Sequence, residues 1–459
     1  MSVFLPENWN ARRSSDWLDL IIGLWLSLAF LKFGTPVNIS EMAVSPADIY
    51  EFLLTGWPLQ WGYVVSAVMV VFVAVRGRFQ SGFHWLLAVG GVWYLWNWVA
   101  SADSVDAGLT GSILVHFSIL TGLVWMALIR MRAGMRLSWF SAGLAAGFLL
   151  TLWSGIQQKF GGLEATREYI YSMEGWENLP AEYLYRIARD RIFATLPYPN
   201  TFAALIILVA PLVIGLGWHA GRGVRGRQGA ILVSLIPAVL AIACLVWTGS
   251  KAGFLVALLQ AGIVALIHLP YSKKIKLTVS VIILVLGLGA FLFKYQDYLR
   301  DGAKSLTVGR FGYWRAAAIT VSENPITGSG PGTFVRAFEK LKRPGDEMTR
   351  LTHNDYLQQA SDAGIPAALA YSTFIVGILI LTIPVRQKSA GATERDPEDG
   401  QGGSHQLLVS AMWVGCIGWA LHSLMEWTLY VPSTAWTAFV FLALLLGDFM
   451  NRRPPADKM

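Results

Sequence analysis

Charge is scarce in this 459-residue chain. Asp, Glu, Lys and Arg together make up 14% of it, against 54% hydrophobic residues. That balance excludes a soluble protein of two or three domains, which the length alone would suggest. Cysteine is nearly absent as well. Cys244 and Cys416 both fall in apolar stretches, so neither a disulfide framework nor a cysteine metal motif can be built. The N-terminal stretch MSVFLPENWNARRSSDW has no small-residue cleavage site after a short apolar core, so the first apolar segment reads as a retained helix, not a signal peptide.

What the chain has instead is a series of apolar runs of about 18 to 22 residues, the length a helix needs to cross a hydrocarbon core about 30 Å thick. Expected spans are approximately 16–33, 57–76, 83–101, 109–130, 136–156, 200–219, 229–248, 251–268, 275–293, 363–385, 406–425 and 431–449. Many of the 20 tryptophans stand near the ends of these runs, as interfacial belts do. The fold class is an all-α polytopic membrane protein with about 12 transmembrane helices.

The connecting loops alternate in charge. One set is short and basic: Arg12 and Arg13, Arg76 and Arg78, Arg130, Arg132 and Arg136, Arg222, Arg225 and Arg227, the Lys273-Lys274-Lys276 cluster, Arg386 with Lys388, and Arg452 with Arg453. The positive-inside rule makes this set cytoplasmic and puts both termini there. The opposite set opens with two loops free of Lys and Arg, around Glu41–Glu51 and Asp103–Asp106. It also contains two long outer loops. The expected organisation is a five-helix N-terminal membrane region (1–156), a first outer loop (157–199), central helices (200–293), a large outer loop (294–362), C-terminal helices (363–449) and a cytoplasmic tail (450–459). The stretch 387–406, QKSAGATERDPEDGQGGSHQ, reads as a flexible linker.

The large outer loop has more basic than acidic residues, among them Lys294, Arg300, Arg310, Arg315, Arg336, Lys340, Lys342, Arg343 and Arg350. Basic groups held there suit an anionic ligand, although a solvated amphipathic helix pair would account for about half of them. Arg191 ends the first outer loop, Lys251 opens a span in WTGSKAG, and Arg310 and Trp314 lie in GRFGYWRAA. His353, Asn354 and Asp355 stand where the second loop meets an apolar helix, with Asn354 or Asp355 able to cap its first turn. All fall on one side of the membrane, near helix ends. The glycine-rich GSGPGTF lacks a following Lys-Ser/Thr and is no nucleotide loop; its glycines suit a tight turn. Glu323 and Asn324, before Pro325, suit a turn too. No Asp-x-Asp pair or His/Cys cluster with ligand spacing stands on the outer face, so no metal is expected. Asp190, Asp355 and Asp362 suit pairing with arginines or helix capping. His422 and Glu426, an i, i+4 pair on the penultimate span, fit a structural pair and a site role equally.

In order, these segments resemble the O-antigen ligase and polysaccharide polymerase family of bacterial envelope glycosyltransferases. RIFATLPYPNTFA is similar to its Arg-x-x-Gly-Thr-Phe-x-Asn-Pro-Asn segment, with Arg191, Thr195, Pro199 and Asn200 in register. TGSKAG resembles Thr-x-Ser-Arg-Gly. Arg310, Trp314, Asn324, Pro325, Gly328 and Gly330 follow its Arg, Trp, Asn-Pro, Gly-x-Gly series, and His353, Asn354, Leu357 and Gly364 its His-Asn-x-x-Leu segment. The resemblance covers about residues 190–385. Ala194 stands where the family has Gly, Tyr198 where it has its first Asn, and Lys251 where it has Arg. Lysine keeps the charge but not the planar fork.

The resemblance implies a GT-C-like helical bundle in the bacterial inner (cytoplasmic) membrane with its active site facing the periplasm. It implies a metal-independent, inverting glycosyltransferase without cofactors, acting in polysaccharide or lipopolysaccharide biosynthesis. The donor would be a glycan on polyprenyl (undecaprenyl) pyrophosphate, and the acceptor a hydroxyl on lipid A-core, another glycan or a protein. No nucleic acid is implied. Arg191, Arg310 and His353 are the expected catalytic residues: the arginines grip the pyrophosphate, and His353 takes the acceptor's proton or, protonated, adds a third donor. Lys251, Asn200, Trp314, Asn354 and Arg315 are the expected substrate-binding residues. The competing expectation is a twelve-helix transporter or a flippase for lipid-linked glycan. Its usual long cytoplasmic loop and midplane repeats are not apparent here.

Overall fold

The computed structural model describes residues 8–76, 84–173, 175–178, 184, 188–268, 272, 274–275, 278, 282, 309–343, 346–384 and 399–452. Their regular structure is all helix, and no strand occurs among them. The main helices are α1 (Asn8–Lys32), α2 (Leu59–Arg76), α3 (Trp85–Ala100), α4 (Ala107–Arg132), α5 (Leu137–Gln157), α6 (Pro199–Trp247), α7 (Lys251–His268), α8 (Gly309–Glu323), α9 (Phe334–Leu341), α10 (Asp355–Leu381), α11 (Asp399–His422) and α12 (Pro432–Asn451). Six helical segments among the described residues are long and apolar enough to cross a membrane. The chain is a polytopic helical membrane protein. The expected span 275–293, Lys294 and Arg300, and most of the expected linker lie outside the described residues.

Expected spans 200–219 and 229–248 form one segment, α6, folded into a hairpin at Arg225 and Gly226, where the backbone leaves helical angles. Its limbs touch at Gly221 and Gly229, where a β-carbon would collide with the opposing carbonyl. The same device joins α1 to α5. Gly143 and Gly147 of α5 and Gly23 of α1 lie against the facing backbone, and a side chain at any of them would clash. Small residues four apart let membrane helices approach closely where apolar lipid offers no hydrophobic drive for association.

Helix α12 is the hub. Every residue from Pro432 to Asp448 is buried, and the helix packs on α4, α11, α1, α10 and α6. A helix apolar on all sides belongs in the interior of a bundle. Helix α10 starts at Asp355, earlier than the expected span, and breaks at Gly364 (φ 80°) before Pro366. The broken turn is satisfied from outside. Ile365 N donates to the Pro325 carbonyl (2.9 Å), and Trp96 Nε1 donates to the carbonyls of Ile326 and Ala363 (3.1 Å each). Backbone groups freed in a membrane helix need such partners. The Asn324–Phe334 segment thereby docks against α10.

Candidate functional site

The loop carrying GSGPGTF wraps around one buried carboxylate. Asp362 accepts hydrogen bonds from Gly332 N (2.8 Å), Phe334 N (3.1 Å), Gln358 Nε2 (2.9 Å) and Tyr430 OH (3.2 Å). It thus supplies the acceptor that the start of α9 lacks on its own. Gly328, Gly330 and Gly332 all have positive φ, which the tight wrap requires. The loop holds α8 and α9 against the end of α10. Asp355, the first residue of α10, is likewise buried and accepts from Thr428 Oγ1 and Leu429 N (2.9 Å each). That pins the connection between α11 and α12.

On this platform, side chains from three distant segments converge on Glu426. The carboxylate lies in the α11–α12 connection and is 4% exposed. Its Oε1 accepts from Asn200 Nδ2 at 2.6 Å and from Arg310 at 2.5 Å, and its Oε2 faces His353 Nδ1 at 3.1 Å. Arg191 joins through Asn200, donating to Oδ1 at 2.9 Å, while its Nε donates to the Thr248 carbonyl at 2.6 Å. Burial by itself would raise the Glu426 pKa. The charges of His353 and Arg310 and the hydrogen bond from His353 outweigh it, so the carboxyl is held well below its usual range and stays ionised.

The imidazole of His353 is framed by rings. Tyr313 stacks on it at 5.8 Å, and Trp427 meets it edge-on at 5.8 Å. Trp427 Nε1 lies 3.3 Å from His353 Nε2, and Tyr198 packs edge-on against Trp427. His353 has φ 54°, a left-handed backbone that costs a non-glycine residue free energy. Its neighbour Asn354 caps α10, accepting from Leu357 N at 3.0 Å, as the capping alternative expects.

The structure therefore brings Arg191, Asn200, Arg310 and His353 together. It sends other expected residues elsewhere. Trp314 donates to the Thr352 carbonyl (3.1 Å), and Arg315 donates to the Leu341 carbonyl at the end of α9 (2.6 Å). Both brace the loop. Lys251 is exposed at the start of α7, with no hydrogen bond to the cluster among the described residues. Its own turn nevertheless backs Arg191: Gly249, at φ 59°, lies against the Arg191 side chain. Glu426 is the residue that sequence reasoning left undecided. Helix α11 ends at His422, so Glu426 lies beyond it; His422 stays within reach of its charge, while the hydrogen bonds of Glu426 go to Asn200, Arg310 and His353. Ala194, at φ 55°, shows why the family has Gly at that position; Gln158 holds the turn by bonding both its N–H and its carbonyl.

Fold and cluster together define a multi-pass helical membrane protein with a cation-bearing polar centre at one end of its bundle. Residues 236–372 match the family model described as O-antigen ligase, so the family resemblance holds across the segment that carries Arg310 and His353. Arg191, Asn200 and Glu426 lie outside that match. No curated protein matches the chain.

Proposed function

We propose that the chain is a membrane glycosyltransferase of the glycan ligase or polymerase type. It moves a glycan from a polyprenyl-pyrophosphate donor to an acceptor hydroxyl at the outer face of the bacterial inner membrane. The observation that carries the reading is the joining of Arg191, Arg310 and His353 into one network by Asn200 and Glu426. In this reading twelve spans leave both termini in the cytoplasm and the cluster at the periplasmic surface. A lipid anchor delivers the pyrophosphate to that depth, so much of the alignment of donor and acceptor is set by binding.

The chemistry needs few parts. Lipid pyrophosphate is a good leaving group, and the site's task is to neutralise its growing charge while a hydroxyl attacks the anomeric carbon from the opposite face, inverting it. Guanidinium groups suit that task, since their planar forks match phosphate oxygens. Arginine then does the work that a metal ion does in other glycosyl transfers. His353, beside Arg310 and ringed by aromatic faces that suit a sugar, takes the acceptor's proton. The acceptor is a glycan, lipid A-core or a protein.

The test is transfer in vitro. Purified protein in detergent or nanodiscs is given polyprenyl-pyrophosphate glycan and a candidate acceptor, with chelator present. Product formation with release of polyprenyl pyrophosphate is expected. Movement of intact lipid-linked glycan across vesicles, with no new glycosidic bond, would replace this reading with a flippase.

A further inference from the structure

We infer that Glu426 is a positioning residue that sets the tautomer of His353, keeping the proton on Nδ1 and leaving Nε2 as the basic nitrogen. The inference rests on the glycosyl-transfer reading above. Two neighbours fix the tautomer independently. Arg310 and Asn200 both donate to the other oxygen of Glu426 and hold it as a carboxylate, which can only accept, so the nitrogen facing Oε2 at 3.1 Å must carry hydrogen. An indole can only donate, so the nitrogen 3.3 Å from Trp427 Nε1 must be the lone-pair nitrogen. Neither constraint depends on the other, and both give the same answer.

The carboxylate is itself held from several sides. Asn200 and Arg310 occupy Oε1, which leaves Oε2 to His353. Charged and titratable groups facing it come from each packed element: Arg310 on α8, Arg191 through Asn200 beside α6, Asp355 on α10 and His422 on α11. His422 is fully buried, and neither ring nitrogen has a hydrogen-bond partner among the described residues. The left-handed backbone at His353 fits the same role, since it turns the ring from the helix cap towards Glu426.

In the step that follows, the acceptor hydroxyl replaces the Trp427 indole as the donor to Nε2. The hydroxyl oxygen forms the new bond to the anomeric carbon, and the carbon–oxygen bond to pyrophosphate breaks with its electron pair leaving on phosphate. The hydroxyl proton passes to Nε2, giving an imidazolium that faces the Glu426 carboxylate. The same arrangement orients histidine bases elsewhere.

Glu426→Gln keeps the side-chain size and removes the charge. We expect kcat to fall about a thousandfold while the donor KM stays within about threefold. The acid limb of the pH–rate profile moves to lower pH, because an imidazole without its anion holds a proton less tightly. Glu426→Asp, which keeps the charge, recovers part of the rate and returns the acid limb towards its original position. A kcat within threefold of the parent with an unmoved acid limb would overturn the role, as would a rise in donor KM alone. The tautomer is read without activity from the side-chain ¹⁵N spectrum of labelled protein, using the signals lost in His353→Ala. Protonated Nδ1 in the parent and a mixed or reversed tautomer in Glu426→Gln support the inference; protonated Nε2 in the parent overturns it. Because that spectrum needs no substrate, it separates failure of this inference from failure of the transfer reading, in which the parent protein itself would make no product.

Discussion

Two carboxylate–guanidinium pairs among the described residues, Arg130 with Asp19 and Arg310 with Glu426, lie near opposite ends of the bundle and differ in what surrounds them. At the end away from the cluster, Arg130 meets Asp19 through Nε and NH2, at 3.0 and 2.6 Å, and the other Asp19 oxygen accepts Arg136 N at 2.9 Å. The side chains are 11% and 0% exposed, so the pair is shut away from solvent. At the cluster, Arg310 and Glu426 are 29% and 4% exposed, and His353 shares the same carboxylate at 19%. The same ion-pair chemistry ties α1 to α4 in one place and leaves a cation facing outward in the other. An anionic substrate can use only the second kind, because desolvating a pair on all sides spends its field on itself.

The widest test of this contrast removes one partner at each end. Arg310→Ala and His353→Ala should each reduce transfer about a thousandfold or more, with the protein still inserted and expressed. Full activity in either would remove that residue from the site. Asp19→Ala should do the reverse. It removes the carboxylate that Arg130 meets inside the bundle and costs ~3–5 kcal/mol of stability, while the folded fraction transfers at the parent rate. Thermal unfolding in detergent, read beside activity per folded molecule, separates the two outcomes. A loss of specific activity in Asp19→Ala would mean that the closed pair also serves the site.

A smaller effect bears on the shape of the cation. Arg310→Lys keeps the charge but replaces the fork by a point charge. If the outward face of Arg310 grips phosphate with two parallel hydrogen bonds, transfer should fall about tenfold to a hundredfold, with the loss expressed in kcat/KM. Near-parent rates would reduce Arg310 to a simple counter-charge. Lys251 supplies the internal contrast. It stands where the family has arginine, yet it is exposed and outside the cluster, so Lys251→Arg should change the rate little.

The helices were legible because a membrane imposes long apolar runs, and the described residues form helix over each expected span they include. Apolarity could not say which helix faces lipid and which faces protein, so the central place of α12 was invisible. The same limit hid the early start of α10, whose first turn carries Asp355 and Gln358, which accept from Thr428, Leu429 and Thr352 of the adjoining loops. For the site, residue type and loop charge grouped Arg191, Arg310 and His353 on one side. They could not show that Trp314 and Arg315 each turn to a backbone carbonyl and away from the cluster. The role of Glu426 was left open between a structural pair and the site for a related reason. Periodicity reports neighbours along a helix, whereas its partners Asn200, Arg310 and His353 arrive from segments far away in sequence.

The smallest effect asks whether backbone strain at this end belongs to the chemistry or to the scaffold. Two non-glycine residues among the described ones have positive φ, His353 and Ala194, and both lie at the cluster end. At His353 the strain aims a reactive ring. At Ala194 it closes a buried turn that Gln158 holds with both the N–H and the oxygen of its side-chain amide, and no ring or charge is carried there. Ala194→Gly relieves a left-handed residue without opening a large cavity, and glycine's greater freedom in the unfolded chain offsets part of the gain. We expect stability to rise by ~0.5–1 kcal/mol, seen as a small upward shift in Tm, with transfer unchanged. A rise in stability accompanied by slower transfer would mean that the methyl group sets the tension of the loop that carries Arg191, and strain at both positions would then belong to the site.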